Sequence, residues 1–289
     1  MVRRVRKTRW RQAAWAMAIG LVPSLALADP IASPAPKPIP SNTPDDVFGF
    51  LDDSTVLAAG TRKLKYTFLP SSGGGSATWG QKIALNYGAT ENLEIGLAVL
   101  YQPTDSTLPG NSSRQLTLAA PMQYVFIQRM QNGTGFALIT TPSFGTTRNS
   151  GTMGETNWSL DNHFALDHDF NGIFFIGLNL GYTAGATNGR QNPSGTFYIQ
   201  GAATVKLSPH FYWGVELQAS QQMNGFFSGN AGWATFAGTS ISVPMTSSFT
   251  FSAAYMRQLA GRETSNPAAN LNTQNFSQNM GKVALAFYF

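Results

Sequence analysis

The chain has no cysteine, so neither a disulfide framework nor a thiolate centre belongs to its chemistry. Charge is scarce as well: Asp, Glu, Lys and Arg make up 11% of the 289 residues, where a soluble domain carries about 25%. Long apolar runs are missing after residue 28, since none approaches the roughly 18 residues of a helical span. There is no P-loop, no dinucleotide-binding glycine fingerprint and no His/Cys set at metal spacing, so neither a cofactor nor a metal is expected. Yet 43% of the residues are hydrophobic. Low charge, high apolar content and no helical span fit a chain in which one face of every strand meets lipid.

Residues 1–28 read as a secretory signal peptide: Arg3, Arg4, Arg6, Lys7, Arg9 and Arg11 precede an apolar core, Ala13 to Leu25, and Ala26-Leu27-Ala28 is an A-x-A cleavage site. Cleavage after Ala28 would leave Asp29 at the mature N-terminus. A single membrane anchor is the alternative, but the apolar stretch is short and Pro23-Ser24 interrupts it. Of the 19 basic residues six lie in this segment, and none of the 14 acidic ones does, so the mature chain carries 13 basic and 14 acidic residues, a net charge of −1. The basic excess belongs to the export signal, and nucleic acid is not an expected partner.

Residues 29–54 form a leader with prolines at 30, 34, 36, 38, 40 and 44, extended and unable to pair in a sheet. Beyond it, residues 55–289 contain twelve stretches that alternate with period 2: approximately 61–69, 77–89, 93–102, 114–127, 135–146, 156–167, 173–184, 196–207, 210–221, 232–243, 248–258 and 278–289. Their connections alternate between short turns and longer loops rich in Gly, Ser, Asn and Thr, the last being Leu259 to Phe276. The expected fold is all-β, an antiparallel up-and-down transmembrane barrel of about twelve strands with both ends on the periplasmic side. Strands four and five, which contain Pro121 and Pro142, fit least well. A soluble sandwich is the competing architecture.

Parity separates the two. With each apolar face set against lipid, Lys63, Lys65, Lys82, Glu94, Asp161, Asp167, Lys206, Glu216 and Lys282 all fall on the opposite, inward face. A charge on the lipid face at the bilayer midplane costs roughly 2–4 kcal/mol, which gives the sorting a cause. Only Arg62 and Arg257 share parity with apolar neighbours, near strand ends where they can snorkel. Trp79, Tyr101, Trp158, Tyr182, Trp233 and Tyr255 fall near one set of strand ends, and Tyr87, Phe211, Trp213, Phe249, Phe287 and Phe289 near the other. Two aromatic girdles are expected.

The run Lys282 to Phe289 alternates to the final residue and looks like the closing strand of a bacterial outer-membrane barrel. By that resemblance Phe289 is the signal read by the barrel-assembly machinery, and outer-membrane lipid is the surrounding partner. The hairpin Asn86-Tyr87-Gly88-Ala89-Thr90-Glu91-Asn92-Leu93-Glu94-Ile95-Gly96-Leu97 resembles the "YGxTxxLExGL" segment of the phenol-degradation pathway (MetA-type) channel family, with Tyr87, Gly88, Thr90, Leu93, Glu94 and Gly96 matching. The resemblance extends over residues 55 to 289 and implies a channel for small molecules, aromatic or other hydrophobic compounds among them.

The lumen-lining candidates are Lys63, Lys65, Lys82, Glu94, Asp161, His163, Glu216 and Lys282. If the barrel closes, Lys282, Lys63, Lys65 and Lys82 share one wall and Asp161 and Glu216 lie across from it. That arrangement sets a transverse field which orients polar solutes. Alternatively, a narrow barrel simply fills its interior with paired side chains, Glu94 pairing with a base such as Lys82. The segment Asp45-Asp46-Val47-Phe48-Gly49-Phe50-Leu51-Asp52-Asp53 would act as a plug with its aspartates against the lysine wall, or remain a disordered tether. Asp161 and His163 share a face. None of His163, His168 and His210 has a serine two residues on, so lumen hydrogen bonding is expected of them rather than lipid hydrolysis. The remaining alternative to a channel is a non-conducting barrel whose loops bind a surface partner; oligomeric state is left open.

Overall fold

A computed structural model describes residues 47–107, 112–129, 133–149, 154–187 and 193–289, all within the compact unit Pro40–Phe289. The expected signal peptide, its cleavage site and the proline-rich leader up to residue 46 lie outside these residues, as do parts of three long loops and one turn. The strands are β1 Arg62–Gly73, β2 Ser76–Gly88, β3 Leu93–Ser106, β4 Ser113–Ala119, β5 Met122–Ile127, β6 Thr134–Asn149, β7 Glu155–Phe170, β8 Phe174–Thr187, β9 Ser194–Ser208, β10 Phe211–Met223, β11 Asn230–Thr246, β12 Phe249–Glu263 and β13 Asn279–Tyr288.

Each strand pairs antiparallel with the next, and β13 returns to β1 (Lys63 opposite Tyr288, Phe68 opposite Val283), so the sheet closes on itself. Arg62 and Phe289 complete the seam through reciprocal backbone hydrogen bonds of 2.8 and 2.9 Å. The ring is twelve-stranded because β4 and β5 occupy one position: both pair with β3 on one side and β6 on the other, and the register carries across the break between them. The interruption falls at Ala120-Pro121, where proline offers no N–H to the ladder. Pro121 still accepts a bond from Gly96 N, and Pro142 accepts one from Ala120 N while β6 runs through it. Hence the two prolines dent the sheet without opening it.

Most strands reach beyond the alternating core visible in the sequence, chiefly at the end away from the chain termini. There Ser71 to Ser76 is not a loop but strand plus a two-residue turn, Gly74-Gly75, with φ of +59° and +78°. At the opposite end Asn171-Gly172 turns with φ of 59° and 70°, the left-handed pair that a tight hairpin requires.

The alternation is realised on both faces. Ile83, Leu85, Leu97, Leu116, Phe164 and Leu217 are among the large apolar side chains left exposed on the outside, Leu217 at 62%. Lys63, Glu94, Asp167 and Glu216 are buried on the inside, with Lys65, Lys82, Asp161, Lys206 and Lys282 half-buried on the same face. Arg62 and Arg257 are exposed on the outside, and Arg114, which shares parity with Leu116 and Leu118 and which the sequence reading did not count, joins them. Ring contacts Tyr124–Phe126 (5.0 Å), Phe126–Phe136 (5.4 Å) and Phe136–Phe164 (5.7 Å) run across β5, β6 and β7 near the turn end. They form part of an aromatic girdle. Replacing Leu97 with Arg should lower unfolding stability in lipid vesicles by about 2–4 kcal/mol, read by denaturant titration of the tryptophan emission; an unchanged midpoint would contradict a lipid-facing position.

Candidate functional site

The interior is occupied by the chain's own leader. Val47, Phe48, Leu51, Ser54 and Leu57 are all buried, and they reach inward-facing residues around the wall. Val47, Phe48 and Leu51 pack with Phe175 of β8, Ala202 of β9 and Tyr212 of β10. Phe50 packs against Ala234, Phe236 and Met256, and Val56 against Val125, Ala137, Ile139 and Ala165. The apolar residues of this short segment therefore fill the lumen in three directions.

Thr55 N bonds Asp53 Oδ1 within the segment at 2.9 Å, whereas the amides of Gly49, Phe50, Leu51, Ser54 and Leu57 find their acceptors on the wall. Glu216 takes three leader N–H groups: Gly49 (2.5 Å), Phe50 (2.7 Å) and Leu51 (3.3 Å). Asp167 takes Ser54 N (2.6 Å) and Ser54 Oγ (2.8 Å), and Glu94 takes Leu57 N at 2.9 Å. Leader carbonyls meet donors: Lys282 Nζ bonds Gly49 O, and Gln123 Nε2 bonds Asp53 O and Thr55 O at 2.9 and 2.8 Å. Two glycines permit the approach. A Cβ on Gly49 would run into Glu216, Ser240 and Ala254, and one on Gly135 would run into Ser54 and Asp167.

The charges are compensated in turn. Arg129, almost wholly buried, lies 3.4 Å from Asp167 and 3.8 Å from Asp53. Glu94 is held by Asn86 Nδ2 at 2.5 Å and by Lys63 at 3.7 Å. His163 lies between two carboxylates, Asp161 at 2.8 Å on Nδ1 and Asp52 at 3.3 Å on Nε2. Asp161 also accepts from Tyr198 and Thr183. Asp52 keeps 57% of its side chain open to the lumen. Desolvation opposes its ionisation, but the hydrogen bond and charge of His163, with Lys282 and Lys65 behind them, outweigh it and hold the carboxyl below the ordinary carboxylate range. A depressed carboxyl stabilises the docked segment above the ordinary range, and that contribution fades as pH falls through the lowered value.

Every expected lumen residue faces inward, but several partnerships differ from the sequence reading. Glu94 pairs with Lys63, which lies beside it across the β1–β2–β3 sheet, rather than with Lys82 as the example pairing had it. Of the leader aspartates described, Asp52 meets His163, with the charges of Lys282 and Lys65 on the lysine wall beyond it, and Asp53 meets Arg129; the segment crosses toward β5 and β7 after Gly49. Asp45 and Asp46 lie outside the described residues. Arg129, Asn86, Gln123, Tyr198 and Ser54 were not singled out in the sequence. Inward parity marks Asn86, Gln123 and Tyr198, whereas Arg129 follows an irregularity in the β5–β6 register between Val125 and Ile127 and carries no readable parity.

The loop between β12 and β13 also bends inward. Gln258 Nε2 donates to Asn272 O at 3.3 Å, Asn272 is fully buried, and Phe276 meets Phe236 edge-on at 6.2 Å. Phe276 thus joins the cluster that receives the leader's Phe50.

The closed, outwardly apolar ring with a polar interior defines a transmembrane β-barrel of the outer-membrane type. Residues 41–289 match the family described as "Family of unknown function (DUF6662)", and the chain belongs to that family. In fold it is similar to the COG4313 outer membrane channel from Pseudomonas putida F1, at 14% identity over 82% of this chain and 98% of that one, TM-score 0.58. It is also similar to the beta domain of the Bordetella autotransporter Brka, at 12% identity over 80% of this chain and 100% of that one, TM-score 0.60. No curated protein matches the sequence. The family match is not to the phenol-degradation group that the hairpin at 86–97 resembles; of that resemblance the comparisons support the coarser part, the fold of an outer-membrane channel.

Glu216→Gln removes the charge and one acceptor from under three leader amides. Hydrogen bonds to charged groups contribute about 1.5–3 kcal/mol, so the released leader should become roughly ten- to a hundredfold more populated. Chymotrypsin cleavage at Phe48 to Leu51 in the folded barrel measures this; an unchanged rate would mean that Glu216 does not hold the segment.

Proposed function

We propose that the protein is an outer-membrane channel for passive uptake of small molecules, whose lumen is closed at rest by its own N-terminal segment. The observation that carries this reading is the seating of Val47–Leu57 on Glu216, Asp167 and Glu94. A barrel built only to display loops has no use for carboxylates positioned to hold a detachable segment. The loop end faces the cell exterior, and the end that carries Arg62 and Phe289 faces the periplasm. Transported solutes are small aromatic or other hydrophobic compounds, a reading that rests on the resemblance of the hairpin at 86–97. Inward rings such as Phe175, Tyr198 and Tyr212 offer such solutes surfaces once the leader withdraws.

Loop recognition of a surface partner is the weaker reading, because the long β12–β13 loop is turned toward the lumen by Asn272 and Phe276. Hydrolysis is weaker still: both nitrogens of His163 are engaged by carboxylates, which leaves neither to take a proton from a serine.

Planar-bilayer recording tests the channel. The full mature chain should conduct in small, infrequent steps, whereas a variant lacking residues 29–57 should conduct several-fold more and admit phenol into liposomes faster. Glu216→Lys should move conductance in the same direction as the deletion. No conductance and no solute flux from the leader-deleted barrel would end the channel reading.

A further inference from the structure

The barrel sorts its two kinds of base by face. All five lysines within the strands, Lys63, Lys65, Lys82, Lys206 and Lys282, lie inside, while Arg62, Arg114, Arg148, Arg257 and Arg262 are exposed on the outside. Among the described arginines only Arg129 lies inside. Two of the outer arginines are direct cross-strand partners: Arg114 on β4 is opposite Arg148 on β6, at the loop end. Like charges in that position repel, with Cβ atoms about 5 Å apart, and destabilise the pairing. Among the described residues neither arginine makes an ion pair, and Asp105, exposed on neighbouring β3, does not bridge to them. The adjoining loop sequences, residues 107–112 and 150–153, contain no acidic residue.

Position specifies what would resolve the repulsion. Directly below the pair on the same outer face lie Leu116, Leu118, Phe144 and Trp158, exposed at 43–58%, with Leu118 opposite Phe144 and Phe144 opposite Trp158. An apolar band ending in a tryptophan marks the hydrocarbon edge and the headgroup level above it. Guanidinium is the base suited to that level, being weakly hydrated and matching the oxygens of a phosphate with a two-pronged fork. Lysine, a strongly hydrated point charge, is kept on the inner face.

We propose that Arg114 and Arg148 form a clamp for the phosphate of a phosphorylated glycolipid in the outer leaflet. The assignment rests on the barrel's being an outer-membrane protein with its loops outward, but not on whether the barrel conducts. One phosphate between the two guanidinium groups turns a repulsive cross-strand pair into two charge-assisted contacts, and ties the protein to one leaflet.

Native mass spectrometry of the full mature barrel in maltoside micelles, which contain no phosphate, tests it. The probe is bisphosphorylated lipid A, titrated beside the same lipid with both phosphates removed. The wild type should bind the phosphorylated form about tenfold more tightly, R114Q/R148Q should lose that preference, and R257Q should retain it. Heat-modifiable gel mobility reports folding, and the single variants R114Q and R148Q carry the test if the double variant does not assemble. Equal binding of both lipid forms by the wild type, or an undiminished preference in the variants, would overturn the clamp. Displacement of the lipid by millimolar inorganic phosphate would overturn the lipid as its ligand. If the preference is lost as stated but no variant conducts, the clamp stands and the channel reading falls.

Discussion

A backbone N–H held at membrane depth has no water to bond and must find its acceptor within the protein. The strands meet this requirement by closure: β13 returns to β1, and Arg62 and Phe289 exchange bonds at the seam. The leader meets it differently. Its described residues make no ladder with any strand, and several of their amides are taken by carboxylates that project from the wall. Those carboxylates are buried charges, costly unless compensated, and this explains Arg129 beside Asp167 and Lys63 beside Glu94. Barrel, segment and interior charges are successive answers to one constraint.

The interior field and the leader are fitted to each other. Glu216 on β10 and Lys282 on β13 approach the same peptide from two sides, Glu216 at Phe50 N and Lys282 at Gly49 O. A peptide unit is a dipole with its positive end at N–H, and here it lies along the line from base to acid. Lys282 and Glu216, one from each of the expected walls, are thus bridged by main chain. Glycine at 49 is part of the same fit, since any side chain there would occupy the space of Glu216, Ser240 and Ala254. In the proposed channel a solute has to displace this backbone before it meets the bare field.

The barrel was legible because a period of two with a costly outer face leaves a strong trace. Leu93, Ile95, Leu97 and Val99 cannot be turned inward without turning Glu94 out to lipid, and the other strands with an inward charge repeat that argument. Pro121 blurred the trace, yet a strand can lose one N–H and keep register, as β4 and β5 do. Side-chain partners were much less legible. Parity says that Glu94 points inward but not which base reaches it, because that depends on stagger between strands, which brings Lys63 into range. The leader's contacts were hidden further, since residues 47–57 follow no period and their partners lie far away in sequence, Glu216 being 167 positions from Gly49. Arg129 falls just past an irregular stretch of β5, where counting by twos stops working.

Apolar packing adds a link that polar bookkeeping alone would miss. Phe50 of the leader and Phe276 of the β12–β13 loop reach the cluster of Phe236 and Met256 from separate segments, one entering beside the chain termini and the other from the loops. Interiors are packed closely enough that removing one large side chain leaves a void its neighbours feel. Withdrawal of Phe50 would uncover one side of Phe236 while the loop still covers the other. The remaining contacts then favour either return of the leader or inward settling of the loop onto the same cluster. In the proposed channel, two segments that share one seat resist opening more than either would by itself.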